Sequence, residues 1–474
     1  MTALAKAYPA PLLAVLSIIV LCGAIPLLLW SFSAPARLPD AQLVLTAVIF
    51  VSGLKFSLVL GYRDRRLHEM VLWLFVYLFL AVAPFVQIQT AFPGTTPGMD
   101  SSFALEAALI VLVGCLSLMV GIAMGNRSAA GHAPDARPVY GRNVFLLAAI
   151  ALGLAAYYVS QVGFATLFAA RSELSSARSD SLGGPFGTII VAGAKMGLLV
   201  AFVALVSLWR QRKAAGQPRP VVMTGLVLVT LLVLVNPVGN ARYIFGTVAL
   251  AVLGAIGIYS TSRRFRLTAI GAMVGMVVVF PVLDTFRRTL DATVQLQSPV
   301  ESLTTADFDS FAQIMNTAQY VQAQGITWGS QFLGVVFFWV PRDVWASKPI
   351  DTGTLLANFR GYRFTNLSAP LWTELFINLG WVGLVVGMIG FGVLIRHLDQ
   401  RSEIMLRLYG APGVAATIIP FYLLIVLRGS LLQAMANLLI IVLGAWFVTR
   451  LPKGASSTLS LSTDVPMVGS TAYR

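Results

Sequence analysis

The chain has 474 residues, of which 57% are hydrophobic and only 11% charged, and its mean hydropathy is +0.82. A water-soluble fold cannot hide that much apolar surface, so soluble globular classes are excluded. The formal net charge of +14 does not point to nucleic acid either: in so apolar a chain it reflects loops that face anionic lipid.

From the N-terminus onward, apolar runs of roughly 20 residues, enough to cross a hydrocarbon core of about 30 Å, recur along the whole chain. About twelve such segments are predicted by hydropathy. They lie at 11–32, 41–60, 71–90, 103–125, 144–163, 187–209, 221–236, 242–260, 267–284, 371–395, 412–427 and 431–448. The expected fold class is an all-α polytopic membrane protein. The first run lacks a convincing cleavage site and reads as a retained helix, not a signal peptide. Cys22 and Cys115 both lie inside apolar runs, which argues against a disulfide framework. One multi-spanning domain is expected over 1–453, and the Ser/Thr-rich stretch 454–474 reads as a disordered cytoplasmic tail.

Orientation follows from Lys and Arg. Clusters fill every second turnaround: Arg63, Arg65 and Arg66; Arg127, Arg137 and Arg142; Arg210, Arg212, Lys213 and Arg219; Arg263, Arg264 and Arg266; Arg396, Arg401 and Arg407. With Lys6, Arg450, Lys453 and Arg474 these make twenty of the 33 Lys and Arg and predict a cytoplasmic face with both termini on it. Eleven remain for the outer face: Arg37, Arg171, Arg178, Arg242, Arg287, Arg288, Arg342, Lys348, Arg360, Arg363 and Arg428. Lys55 and Lys195 fall within helices. Lys55 reads as a snorkelling residue, while Lys195 lies deeper, where it could face a cavity.

Six of the outer cations lie in one long connection, 285–370, between the ninth and tenth segments. A connection of that length is usually functional. Within it, "FDSFAQIMNTAQYV" has helical spacing. "SQFLGVVFFWV" is apolar but too short to span, which suits a re-entrant or interfacial piece.

Ionisable groups gathered at one membrane depth mark a candidate site. Arg242 opens the eighth segment, Asp284 closes the ninth with Arg287 and Arg288 after it, Glu374 starts the tenth, and Arg428 closes the eleventh. Asp284 and Arg288, four apart, also fit a helical ion pair. Arg287 also fits a snorkelling cation, and Arg242 and Arg428 also fit a grip on lipid phosphates. Arg171, Glu173, Arg178 and Asp180 read as a solvated loop of mixed sign. In "FFWVPRDVWASKP", Pro341 and Pro349 are expected to frame a helical turn on which Arg342 and Trp345 share a face. An indole beside a guanidinium, with Lys348 as a further point charge, suits an anionic group; a plain interfacial anchor is the other reading. Asp307-Phe308-Asp309 has the look of a metal-chelating D-x-D and equally of an acidic helix start. His68, His132 and His397 all fall in cytoplasmic turnarounds, and there is no P-loop, Cys/His metal cluster or Ser-His pair. The residues give no basis for a metal or cofactor.

From Asp307 to His397 the chain resembles the Wzy-type O-antigen and oligosaccharide repeat-unit polymerases of bacterial envelopes. The resemblance rests on "GSQFLGVVFFWVPRDVWASKP", "TGTLLANF" and "NLSAPLWTELFINLGWVG"; "NPVGNARY" and "PVLDTFRR" fit more loosely, and the first half matches only as multi-spanning apolar sequence. It implies an inverting-type glycosyl transfer without a nucleotide sugar, at the outer face of the cytoplasmic membrane. Donor and acceptor are undecaprenyl-diphosphate-linked oligosaccharides, a chain-length regulator protein is a possible partner, and membrane lipids surround the chain. On that reading Arg342 and Arg288 stabilise the departing diphosphate first, with Arg242, Arg428, Lys348, Arg287 and Trp345 in support. Glu374, at helix depth, is the first choice for the base that takes the acceptor proton, and Asp343 the second. An O-antigen ligase is the alternative within the same chemistry, disfavoured because no histidine falls on the outer face. A lipid-linked oligosaccharide flippase is the alternative from another class, disfavoured because the charges do not sit at the midplane.

Overall fold

The structure, a computed structural model, describes residues 10–31, 38–91, 96–127, 138–169, 171–276 and 299–450. Arg287, Arg288, Asp284, His132 and the 454–474 tail lie outside the described residues. Among the described residues every regular element is helical and none is a strand.

Eight helices are long and apolar enough to cross a membrane. They are α1 (Pro11–Ser31), α2 (Pro39–Gly61), α3 (Leu67–Gln89) and α4 (Ala104–Arg127) in the first part of the chain. α5 (Gly141–Val162) follows, then α6 (Arg171–Leu182), a short polar helix, and α7 (Gly184–Ala214), which spans. Next come α8 (Val221–Leu234), α9 (Arg242–Ile256) and α10 (Ser262–Val274), then α11 (Ser310–Gln324), α12 (Ser330–Val336) and α13 (Thr352–Arg360). The chain closes with α14 (Leu371–Tyr409), α15 (Val414–Arg428) and α16 (Leu431–Thr449); α14 and α16 complete the eight. Three of the expected twelve segments, α8, α9 and α15, are apolar but have only 14, 15 and 15 residues. At 1.5 Å per residue each covers about 21–23 Å. The expected ninth segment starts earlier than hydropathy placed it, because Thr261 caps α10 by accepting from Arg264 N at 3.2 Å.

α3 is buried from Leu67 to Ile88 and apolar on all sides between His68 and Glu69 at one end and Gln87 at the other, so it forms the axis of the bundle. Its proline, Pro84, follows a π-helical stretch, Leu78–Val82, and Pro26 of α1 likewise follows Ile19–Ala24. A proline brings no N–H and crowds the carbonyl four residues back, and the wider π turn accommodates both.

α4 and α14 pack backbone to backbone. A Cβ on Gly121 would lie 2.1 Å from the Ile389 carbonyl oxygen, and one on Gly392 would lie 2.5 Å from that of Leu118. Gly121 and Gly125 form a GxxxG pair, whose use is this close approach. α14 is broken at Leu379 and Gly380, where Gly380 takes φ 60 and ψ −147. The break also shows in register. Gly114 of α4 meets Trp372 and Gly121 meets Ile389: about 10 Å along α4 against about 25 Å along a straight α14. Residues 371–378 therefore leave the axis of the rest of α14. The carbonyls freed at the break are satisfied from outside, by Thr327 N on Ile377 O (2.8 Å) and Gly329 N on Asn378 O (3.2 Å).

Candidate functional site: a cationic cavity at one end of the bundle

The two ends of α3 define the two ends of the bundle. At its C-terminal end Gln87 donates to the carbonyls of Leu303 (2.8 Å) and Phe308 (2.9 Å), which ties the bundle to residues 299–370. At its N-terminal end sits a network of ion pairs. Arg65 pairs with Glu403 at 2.8 Å, Arg407 with Glu403 at 2.7 Å and with Asp64 at 2.6 Å. His68 Nδ1 lies 2.8 Å from Asp399, and Arg66 and Arg396 flank Glu69.

At the Gln87 end lies a cavity of about 1350 Å³. Its wall brings together Arg178 of α6, Lys195 of α7, Arg242 of α9, Arg428 of α15, and Arg342 and Lys348 from the proline-flanked turn. Asp307, Asp309 and Asp351 are the carboxylates in the same wall. Six cations against three carboxylates leave an excess of positive charge, focused by a partly apolar wall.

The partners decide which cations are available to a ligand. Arg242 is ion-paired with Asp307, and Arg428 with Asp309 at 3.0 Å. Arg428 also donates to the Asp307 carbonyl at 3.1 Å and lies 4.6 Å over the Tyr243 ring. Thus Asp307 and Asp309 are neither a chelating pair nor the side-chain cap of α11. They are the counter-ions of two arginines brought in by α9 and α15. Among the described residues Arg342 and Lys348, by contrast, meet only neutral oxygens. The Arg342 guanidinium donates to the carbonyls of Lys348 (2.6 Å) and Pro349 (3.1 Å), and Lys348 Nζ donates to those of Phe338 (2.6 Å) and Val340 (2.9 Å). Trp345 N donates to the Pro341 carbonyl at 3.1 Å, so the stretch makes the single helical turn expected of it, and the two cations hold the carbonyls on either side of that turn. Their charges stay uncompensated, and burial, with Arg342 beside it, holds the Lys348 pKa below the ordinary lysine value.

Trp345 and Asp343 do not line the cavity. The Trp345 indole donates to Ser347 Oγ at 3.0 Å and packs edge-on to Phe337, so it shares no anion-facing surface with Arg342. Glu374 is 0% exposed and stands behind the wall. It accepts from Thr352 Oγ1 at 2.8 Å and from Leu431 N at 2.9 Å, joining the starts of α13 and α16 to α14. Of the expected site residues, Arg242, Arg342, Lys348 and Arg428 come together in one wall. The other three described ones do not join them.

Sequence reasoning passed over two lining residues, Arg178 and Asp351, and gave a third, Lys195, only as able to face a cavity. Arg178 was read as part of a solvated loop, but it sits on α6 and faces the cavity. Asp351 caps α13, accepting from Thr354 N at 3.1 Å and Thr354 Oγ1 at 2.7 Å; the D-T-G-T spacing was the available signal. Lys195 lines the cavity from within a spanning helix; a lysine in an apolar run was the signal there. Beside the cavity, Trp328, Leu333, Val336, Trp339 and Val344 point outward from the protein, an apolar rim of the kind that sits in lipid.

The fold and this wall define a polytopic α-helical membrane protein with a cationic cavity at one end. No protein-family model matches the chain, and no curated protein or solved structure matches it significantly.

Proposed function

We propose that the chain is a membrane-embedded glycosyltransferase that joins lipid-diphosphate-linked oligosaccharide repeat units, with the cavity as its active centre. The topology belonging to this reading has twelve crossings, both termini cytoplasmic, and the 285–370 connection at the outer face of the cytoplasmic membrane. The observation that carries it is the convergence of six cations from five chain segments on one cavity beside an outward-facing apolar rim. A polyprenyl diphosphate needs that combination: fixed positive charge for the headgroup, and lipid for the tail.

In the reaction, a hydroxyl of the acceptor sugar attacks the anomeric carbon of the donor. The bond from that carbon to the diphosphate oxygen breaks, and the diphosphate leaves with added negative charge. Cations fixed in place beforehand stabilise that charge more in the transition state than in the ground state. Arg342 and Lys348, free of carboxylates, suit this role; Arg242 and Arg428, already neutralised, shape the wall. The acceptor proton goes to Asp351, the lining carboxylate with no arginine partner among the described residues. Glu374 positions Asp351 from behind by holding Thr352.

The test uses purified protein in lipid with a synthetic undecaprenyl-diphosphate repeat unit as sole substrate. Wild type should give a ladder of products on a gel. Asp351→Asn keeps a good helix cap and should slow the ladder by about 10²- to 10⁴-fold, the range for a lost general base. No ladder, but transfer onto a lipid A–core acceptor, would make the protein a ligase. Movement of the lipid-linked sugar across the bilayer without transfer would make it a transporter.

A further inference from the structure

Lys195 has no part in that scheme, yet it is the most unusual residue of the wall. It lies eleven residues into α7, about 17 Å along a spanning helix, is 9% exposed, and lines the cavity. Its Nζ donates to Asn240 Oδ1 at 2.6 Å and lies 5.5 Å from the centre of the Tyr158 ring. An ammonium carries three N–H groups, and no carboxylate among the described residues pairs with it. The Tyr158 hydroxyl is buried without a hydrogen-bond partner among the described residues. Arg178, on the same wall, is close enough to act electrostatically on both. Two cations and an unused hydroxyl thus meet with no anion among them.

A role in holding the 236–240 turn does not account for the lysine. Asn236 builds that turn by accepting from Val238 N (3.1 Å) and Gly239 N (2.9 Å) and donating to Leu167 O (2.8 Å). Asn240 closes it by donating to Leu234 O (2.9 Å) and Asn236 O (3.2 Å). A neutral donor would serve Asn240 Oδ1 as well, without a charge inside a spanning helix.

We propose that Lys195, with Arg178, forms an oxyanion-binding subsite in the depth of the cavity, separate from the Arg342–Lys348 turn. Its ligand is a phosphate or carboxylate group that enters through the cavity. If the glycosyltransferase reading holds, on which this part alone rests, the subsite takes either a second lipid diphosphate or an acidic sugar of the repeat unit.

The experiment measures binding by protein placed in phosphatidylcholine nanodiscs, with farnesyl diphosphate and glucuronate as probes. Wild type, Lys195→Met, Lys195→Arg and Arg178→Gln are compared. Losing one charge-assisted contact should weaken binding of at least one probe to Lys195→Met by roughly 10- to 100-fold, while Lys195→Arg stays within a few-fold of wild type. Loss confined to farnesyl diphosphate assigns the subsite to lipid phosphate; loss confined to glucuronate assigns it to an acidic sugar. Thermal unfolding without probe separates binding from a structural role: Lys195→Met should melt at or above the wild-type temperature. Unchanged binding of both probes, no binding by wild type, or a lowered melting temperature with Arg178→Gln binding like wild type would each overturn the subsite. The ladder assay on the same preparations keeps the two ideas apart. Probe binding through Lys195 without a ladder overturns only the polymerase, and a ladder with unchanged probe binding by Lys195→Met overturns only the subsite.

Discussion

Arg428→Met isolates the structural half of the cavity wall. In the native protein Arg428 neutralises Asp309 at 3.0 Å, and the side chains are 18% and 6% exposed. Removing the guanidinium leaves a buried carboxylate with Ser368 N at 3.1 Å and the Gln313 amide at 3.5 Å as its remaining donors. Breaking a buried pair from one side costs about 3–5 kcal/mol. The 18% exposure of Arg428 lets some water reach the orphan, so the low end, about 3 kcal/mol, is expected. Asp309→Asn keeps an oxygen for Ser368 N and removes the charge, and alone it should cost about 2 kcal/mol. Combined, the two changes leave no orphan charge, so the double variant should lose only about 2–3 kcal/mol, a coupling of about 2–3 kcal/mol. Reversible unfolding in mixed micelles, titrated with sodium dodecyl sulfate and followed by circular dichroism, reads all four proteins. Single losses below about 0.5 kcal/mol that simply add would refute the pairing and return Arg428 to the set of cations open to a ligand.

Three further outcomes are expected. Gly121→Val should destabilise by about 3 kcal/mol or more in the same titration, because its Cβ would meet the Ile389 carbonyl at 2.1 Å and backbone on both sides leaves no rotamer to relieve the overlap. Glu374→Ala should cost about 2–3 kcal/mol by orphaning Leu431 N, whereas Glu374→Gln, which can accept from Leu431 N and donate to Thr352 Oγ1, should stay within about 1 kcal/mol; equal losses would mean the negative charge itself is required. Arg178→Gln, exposed and with no counter-charge among the described residues to orphan, should leave the melting temperature unchanged and raise KM in the ladder assay by about tenfold, an effect that fades as salt is raised.

The sequence carried the helical class and most of the helix positions, because burying apolar runs in lipid is a local property that needs no knowledge of neighbours. It also carried Arg242 and Arg428 as cations at helix ends at one depth. What it could not carry is which charges cancel. Asp307 and Asp309 are 65 and 119 residues from the arginines they meet, and nothing in D-F-D distinguishes a chelator from a pair of counter-ions. The partners of Glu374 were hidden for a similar reason. Its neighbours Thr352 and Leu431 come from either side of α14 in the chain, and only packing shows that the carboxylate turns inward to hold both. Lys195 was visible as a lysine in an apolar helix, but its partner, Asn240, is 45 residues on.

The break in α14 has a mechanical consequence. Below it, the helix is clamped at its far end through Asp399 and Glu403 to the start of α3. At the break, its open carbonyls are held by Thr327 and Gly329, from which the chain runs directly into α12 and the turn bearing Arg342 and Lys348. A single post thus joins ion pairs at one face of the bundle to the turn bearing Arg342 and Lys348 at the other. A tilt of α14 by a few degrees would move that turn relative to Arg242 and Arg428, which hang from other helices, and so change the spacing of the charges around whatever the cavity holds.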